Sequence, residues 1–219
     1  MFVKQFLIGG DRNYAYLIAD RTTKQAAAID VSYSPQKVWD FAQANGYEIA
    51  YVFSTHGHGD HTNGNAEMRR LSGKQALLFG DVDPATGLRL ADGVQLPLGE
   101  LRIQIIHTPG HTQDAMCLYV QGPSASPGVV LTGDTLFVGK VGGTDFGAGA
   151  RAEYDALHNK LLILPDDTRV LPGHNYGVAP ESTIVHERET NPFLTQPDFD
   201  HFVWLKQNWV AYKAEHGIA

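Results

Sequence analysis

Hydrophobic positions along this chain switch between the period of a strand and the period of a helix. Runs near 2–8, 13–19 and 25–30 are short, apolar and rich in aromatic or β-branched residues, which predicts strands. Asp20-Arg21-Thr22-Thr23-Lys24 is the turn between the last two. From Ser34 to Asn45 the pattern becomes helical, with Val38, Phe41 and Ala42 on the inner face. Ser34 suits the N-cap, Pro35 the first helical position and Gly46 the stop. Glu48-Ile49-Ala50-Tyr51-Val52-Phe53-Ser54 predicts a buried strand, and a helix follows over roughly 63–72.

A second round repeats the scheme. Strands are predicted near 75–79, 93–96, 101–107, 115–121, 128–132 and 169–172. A helix near 151–163 carries Tyr154, Leu157, Leu161 and Leu164 on one face, and another is predicted near 180–190. The tail from Asp198 to Glu215 places Phe202, Leu205, Trp209 and Tyr212 at the same spacing. Gln121 to Gly128 reads as a loop between strands. Sheets with helices outside them give a layered α/β architecture. The expectation is one domain over 1–219, with a short C-terminal helical tail from about 195.

The densest chemistry lies in Thr55-His56-Gly57-His58-Gly59-Asp60-His61. Neutral imidazole is the commonest metal ligand, and imidazole with carboxylate suits zinc, iron or manganese. The cluster follows a predicted strand, so a loop on rigid structure would present it. Gly57 and Gly59 are expected to let the backbone fold tightly there. Three further candidates recur in the same context of apolar strand, glycine turn and donor. His111 follows Thr108-Pro109-Gly110, Asp134 follows Leu131-Thr132-Gly133, and His174 follows Val170-Leu171-Pro172-Gly173. Each alone could be a turn or cap residue; together they predict a metal site.

This set, His56-x-His58-x-Asp60-His61 with His111, Asp134 and His174, resembles the metallo-β-lactamase superfamily. The resemblance implies an αββα sandwich of two facing mixed sheets flanked by helices. It also implies two divalent ions: His56, His58 and His111 on the first, Asp60, His61 and His174 on the second, Asp134 bridging. Zinc is the expected metal, with iron or manganese as alternatives. Thr108-Pro109-Gly110-His111-Thr112 and Thr132-Gly133-Asp134-Thr135-Leu136-Phe137-Val138 are similar to glyoxalase II, the hydrolase of S-acylglutathione thioesters. Thr144-Asp145-Phe146 and Arg188-Glu189-Thr190-Asn191-Pro192-Phe193-Leu194 are similar to persulfide dioxygenases. There the facial triad would be His56, His111 and Asp134, holding a single iron.

Composition narrows the setting. Among 219 residues, 43% are hydrophobic and the formal net charge is −7, without a basic block. That argues against nucleic acid and anionic membrane surfaces as partners. No apolar run approaches the ~20 residues of a membrane span. The N-terminal stretch lacks the apolar core of a signal peptide and reads as a first strand. The single cysteine, Cys117, excludes an internal disulfide and fits a cytoplasmic setting. It lies in a predicted strand and reads as a core residue.

The reading that follows is a metal-dependent hydrolase of a thioester on a small-molecule substrate. A hydroxide formed at the metal, from water with pKa lowered to about 7, would attack the carbonyl. Asp134 would bridge, and Asp60 would also hold or accept a proton. Tyr176 matches a substrate-contacting tyrosine by resemblance, and the glycine-rich stretch Gly139–Gly149 reads as a substrate-side loop containing Lys140. Asp30 either orients a ligand histidine or is a turn residue. His107 reads as structural or supporting, and His158, His186, His201 and His216 as surface or packing residues. Gly143 stands where the resembling families carry a cation for the glutathione carboxylate, so weak glutathione binding is expected unless Lys140 supplies the anchor. A persulfide dioxygenase and a non-catalytic metal-binding module are the alternatives.

Overall fold

The structure is a computed structural model and describes residues 1–123 and 127–218. The first sheet runs in sequence order: β1 (Phe2–Leu7), β2 (Tyr14–Ala19), β3 (Gln25–Ile29), β4 (Glu48–Phe53) and β5 (Ala76–Leu77). The first three strands are antiparallel to one another; β3, β4 and β5 are parallel. Parallel neighbours need crossovers. α1 (Pro35–Ala44) supplies the first, and α2 (Gly59–Thr62) with α3 (Asn65–Ser72) the second.

The second sheet contains β6 (Gln95–Leu98), β7 (Leu101–His107), β8 (Met116–Gln121) and β9 (Val129–Gly133). A small separate hairpin follows, β10 (Leu136–Phe137) with β11 (Lys140–Val141). Then come α4 (Ala148–Ala156), β12 (Arg169–Pro172), β13 (Ser182–Thr183), α5 (Ile184–Thr190) and α6 (Phe199–His216). The sheet order is β13-β12-β9-β8-β7-β6, antiparallel except for the parallel pair β12–β9.

Strand alternation builds three layers of core. On β2, Tyr14, Tyr16 and Ile18 face the second sheet, whereas Ala15, Leu17 and Ala19 face α1. On β8, Met116, Leu118 and Val120 meet them from the other side. Cys117 and Tyr119 turn outward beneath α4 and α6, whose Leu157 side and Phe202 and Leu205 close the outer layer. Strands buried on both faces read as near-continuous apolar runs, which is how the sequence presents them. The αββα sandwich is therefore the observed fold. Cys117 is fully buried, and burial pushes its thiol up to about 11. Among the described residues no helix is long and apolar enough to cross a membrane.

Several boundaries differ from the sequence reading. The helix expected over 63–72 is α3, starting at Asn65; a separate short turn, α2, precedes it, and the two part at Gly64. A Cβ at Gly64 would sit 2.1 Å from the Ser32 carbonyl oxygen, so that contact bends the path. The segment expected at 180–190 begins as β13 and becomes helical only after Thr183, whose side chain accepts from the His186 amide. The helix expected at 151–163 starts earlier, at Ala148, and its last turn, Leu157–Leu161, widens to a π-helix. Ser34 stands at the N-cap of α1, yet its hydroxyl donates to the Ile8 carbonyl instead (3.3 Å). In the Gln121–Gly128 loop, residues 124–126 lie outside the described residues.

Phe53 ends β4 fully buried between the sheets. Phe53→Ala should lower unfolding free energy by about 3–5 kcal/mol, read by urea denaturation. Val210→Ala, on an exposed position of α6, should shift it by less than about 0.5 kcal/mol.

Candidate metal centre

The direction of the strands decides where the donors meet. β7, β9 and β12 run the same way through the second sheet, so His111, Asp134 and His174 all emerge at one edge. β4 delivers His56 and His58 to that edge from the first sheet, and α2 carries Asp60 and His61. The sheets are tied there by backbone bonds: Met116 N–H to the Thr55 carbonyl (2.9 Å) and Tyr14 N–H to the Gly173 carbonyl (2.8 Å). Gly173 is required: a Cβ would lie 2.6 Å from Asp134 Oδ1. Of the two glycines in the metal loop, Gly57 is crowded, its Cβ direction ending 2.9 Å from Asp114 Oδ2. Gly59 faces open space, so the expected need for glycine there is not borne out.

All seven predicted donors converge. His58 Nδ1 lies 3.0 Å from His56 Nε2 and 3.1 Å from His111 Nε2. His61 Nε2 lies 3.2 Å from His174 Nε2. Asp134 spans both halves: Oδ1 is 3.3 Å from the ring nitrogens of His61 and His174, and Oδ2 is 3.5 Å from His111 Nε2. Asp60 Oδ2 completes the second half, 3.4 Å from His174 Nε2 and 3.6 Å from His61 Nε2. Ligands about 2.0–2.1 Å from a zinc ion are separated by tetrahedral edges of about 3.3 Å. The spacings fit such an ion. The triples His56–His58–His111, His56–His61–Asp134 and Asp60–His61–His174 each gather closely enough to hold one.

The outer nitrogens explain why the inner ones face each other. His61 Nδ1 meets Asp30 Oδ2 (3.0 Å), His111 Nδ1 the Gly143 carbonyl (2.7 Å) and His174 Nδ1 the Asp11 carbonyl (2.8 Å). These partners can only accept, so Nδ1 carries a proton in each ring and Nε2 is the nitrogen that faces inward. Asp30 also accepts the Thr55 amide and hydroxyl, both at 2.8 Å. It sits at φ +50, so both readings of Asp30, orienting partner and turn residue, are true. Asn13 donates to Asp60 Oδ2 (3.0 Å). Asp134 Oδ1 is buried and finds no well-formed hydrogen bond, as expected of an oxygen directed at a cation.

Charge follows the same logic. Burial pushes the His56 pKa down to about 4, with the neighbouring His61 adding to the effect, so His56 is neutral. Burial would lower His61 too, but Asp30 and Asp134 outweigh it and raise His61 to about 11. Burial would raise Asp134, yet His174 and His61 hold it well below the usual carboxylate range. A cation entering between these carboxylates must displace the His61 proton, so binding weakens as pH falls.

The remaining candidates separate clearly. Tyr176 stacks flat on His174 (4.5 Å between centroids, 7°), and its hydroxyl donates to Asp11 Oδ2 (2.6 Å). Lys140 Nζ lies 5.2 Å and the Arg12 guanidinium 4.9 Å from the Tyr176 ring. Arg12, Lys140, Tyr176 and Lys213 line a crevice of about 510 Å³ beside the centre. His107 is structural: it stacks on Phe79 (3.8 Å) and its Nε2 meets the Gln113 carbonyl. His158 packs at a tilt against Tyr154, His201 pairs with Asp198 and His216 stacks on Tyr212, all apart from the seven donors. The sequence reading gave no role to Asp11, Arg12, Asn13 or the Gly143 carbonyl. Asp11 and Gly143 meet His174 and His111 through backbone oxygens, for which side-chain identity gives no signal.

The profile described as the metallo-beta-lactamase superfamily matches residues 8–174. The chain belongs to the metallo-beta-lactamase superfamily. It is 37% identical over 169 residues to the cytoplasmic hydroxyacylglutathione hydrolase of Arabidopsis thaliana, an alignment covering 76% of this chain. The chain spans 65% of that relative's length. It is 30% identical over 185 residues to the mitochondrial persulfide dioxygenase ETHE1 of Homo sapiens, covering 83% of this chain and 71% of the relative. The crystal structure of ETHE1 from Myxococcus xanthus superposes with a TM-score of 0.80 at 30% identity, covering 95% of this chain and 91% of that one. A superfamily fold with this His and Asp cluster is a divalent-metal site.

Asp134→Ala should remove bound metal, measured by elemental analysis, whereas His158→Ala should leave metal content unchanged. Asp30→Asn should weaken metal binding by roughly 10–100-fold in a chelator competition, because it removes the partner that orients His61.

Proposed function

We propose that this chain is a binuclear metal-dependent hydrolase of thioesters, acting on a hydroxyacylglutathione or a related acyl thiol. In this reading His56, His58 and His111 hold one ion, Asp60, His61 and His174 hold the other, and Asp134 bridges them. The supporting observation is the division of the Asp134 carboxylate, one oxygen toward each histidine group. Zinc suits this donor set best, and iron or manganese would also be accepted.

When bound, such ions lower the pKa of water to about 7 and polarise a carbonyl oxygen. The chain's own residues supply orientation and proton handling. Asp60, held by Asn13 at one oxygen and only partly exposed, would accept the proton of the attacking water. Asp134 stays ionised beside His61 and His174 and keeps negative charge between the two halves. A thiolate leaves without a protein acid, because thiols are far more acidic than alcohols. Tyr176 keeps its proton, since burial and its bond to Asp11 push the phenol up, and it covers His174 as a flat wall for the substrate. Lys140, with Arg12 and Lys213, gives the adjoining crevice a positive lining suited to a substrate carboxylate. A cytoplasmic setting, consistent with one unpaired cysteine, belongs to the same proposal.

A second reading, an iron-dependent persulfide dioxygenase, is favoured by one observation. ETHE1 from Myxococcus xanthus matches this chain over nearly the whole length of both, whereas the plant hydrolase is longer. The complete second donor group, Asp60, His61 and His174, favours hydrolysis.

Thiol release from a glutathione thioester without oxygen uptake is the expected result. Oxygen consumption with a persulfide by the iron-loaded protein, and no thioester turnover, would reverse the order of the two readings. Lys140→Ala should raise KM for a carboxylate-bearing thioester by about 10–100-fold, the loss of one charge-assisted contact, and change KM little for a neutral one. Gly143→Arg, entering open space, should lower KM for the anionic substrate more than for the neutral one.

A further inference from the structure

The strip of backbone from Gly139 to Gly143 runs beside the centre between Asp134 and His111. It is held from behind by buried polar groups of the C-terminal segment. Glu187 Oε2 accepts from the Gly139 amide (2.9 Å), and Asn191 Nδ2 donates to that same carboxylate oxygen (2.8 Å) and to the Lys140 carbonyl (3.4 Å). Lys206 of α6 donates to the Gly142 carbonyl (2.7 Å) and is ion-paired with Glu153 of α4. Glu187, Asn191 and Glu153 are fully buried, and the Lys206 side chain is only 5% exposed.

The next carbonyl along, that of Gly143, receives the His111 Nδ1 proton. The opposite strip is braced by the same carboxylate residue. Gly110, immediately before His111, lies against Glu153 so closely that a Cβ there would fall 2.5 Å from the Glu153 Cβ. Glu153 therefore backs the peptide that carries His111, and its partner Lys206 holds the peptide immediately before the one whose carbonyl meets His111. Gly142 itself admits no side chain, its Cβ direction meeting the Asp134 carbonyl at 1.9 Å, so this peptide has little room to shift.

Stability alone does not call for an ion pair here. Desolvating two charges costs as much as their attraction returns, and apolar residues of similar size are often as stable or more so. A lysine does one thing that a methionine cannot: it donates a hydrogen bond to the Gly142 carbonyl. We propose that Lys206, paired with Glu153, is a positioning residue for His111, fixing the Gly142–Gly143 peptide so that the Gly143 carbonyl holds His111 with its Nε2 toward the metal. This rests on the reading of His111 as a metal ligand.

The test uses the full chain and cobalt(II) as the probe metal. In the metal-free wild-type protein, nitrogen NMR of the His111 ring should show the proton on Nδ1; a proton on Nε2 would overturn the proposal. The double variant Lys206→Met with Glu153→Met removes both charges and avoids leaving either one buried alone. It should unfold at a urea concentration no lower than the wild type, yet bind cobalt at the His111-containing group about 10–100-fold less tightly and lose the single His111 tautomer. Lys206→Arg, which can still donate, should restore much of that affinity. Unchanged cobalt affinity and an unchanged His111 ring in the folded double variant would overturn the proposal. Loss of the fold in the double variant would overturn it too, by making the pair a requirement for folding. His111→Ala is the control for the underlying reading: if it binds cobalt like the wild type, His111 is no ligand and both ideas fall. If His111→Ala loses an equivalent and the double variant does not, only the role of Lys206 falls.

Discussion

Imidazole nitrogens with lone pairs aimed at one another, and a carboxylate wedged between them, do not gather spontaneously. Their convergence at a single sheet edge is the constraint on which this molecule is organised. Three parallel-running strands of the second sheet and one of the first all stop at that edge, and each hands over a donor within a few residues of its end. The outer ring nitrogens are then tied to Asp30, Asp11 and Gly143, groups that can only accept a proton. The direction of each ring and the proton on its outer nitrogen are settled before any ion arrives. This is preorganisation: the framework's folding energy, drawn from the apolar layers on both faces of each sheet, holds a donor set that would be unfavourable by itself.

The site is consequently built from two sides with different stiffness. The first sheet side depends on Asp30, a buried carboxylate at a left-handed backbone position that satisfies Thr55 and His61 at once. The second side depends on a short hairpin and the glycine strip after it, which have few strand bonds of their own. There the C-terminal helices contribute polar groups rather than apolar bulk. The superfamily match ends at residue 174, so Glu187, Asn191 and Lys206 lie beyond it, whereas Glu153 lies within it. The same segment reaches the crevice beside Tyr176, which Lys213 lines together with Lys140.

Much of this was legible in the sequence because the donors announce themselves. Each follows an apolar strand and a glycine turn, and strands buried on both faces read as continuous apolar runs. Cys117 and the stripe through Leu157 and Leu161 were equally plain. What was not legible depends on contacts between distant segments. The break before α3 comes from Gly64 meeting the Ser32 carbonyl. β10 and β11 have two residues each, too few for a period to register. Asp11 and Gly143 act through carbonyl oxygens that every residue possesses. Glu153 and Lys206 sit on helices with otherwise ordinary patterns, where a charged residue reads as solvent-facing by default.

The central claim is a centre for two ions bridged by Asp134. The most direct measurement is metal stoichiometry by elemental analysis on protein dialysed free of loosely bound ions. Two divalent ions per chain in the wild type are predicted. One ion per chain at saturation, or none, would contradict the account.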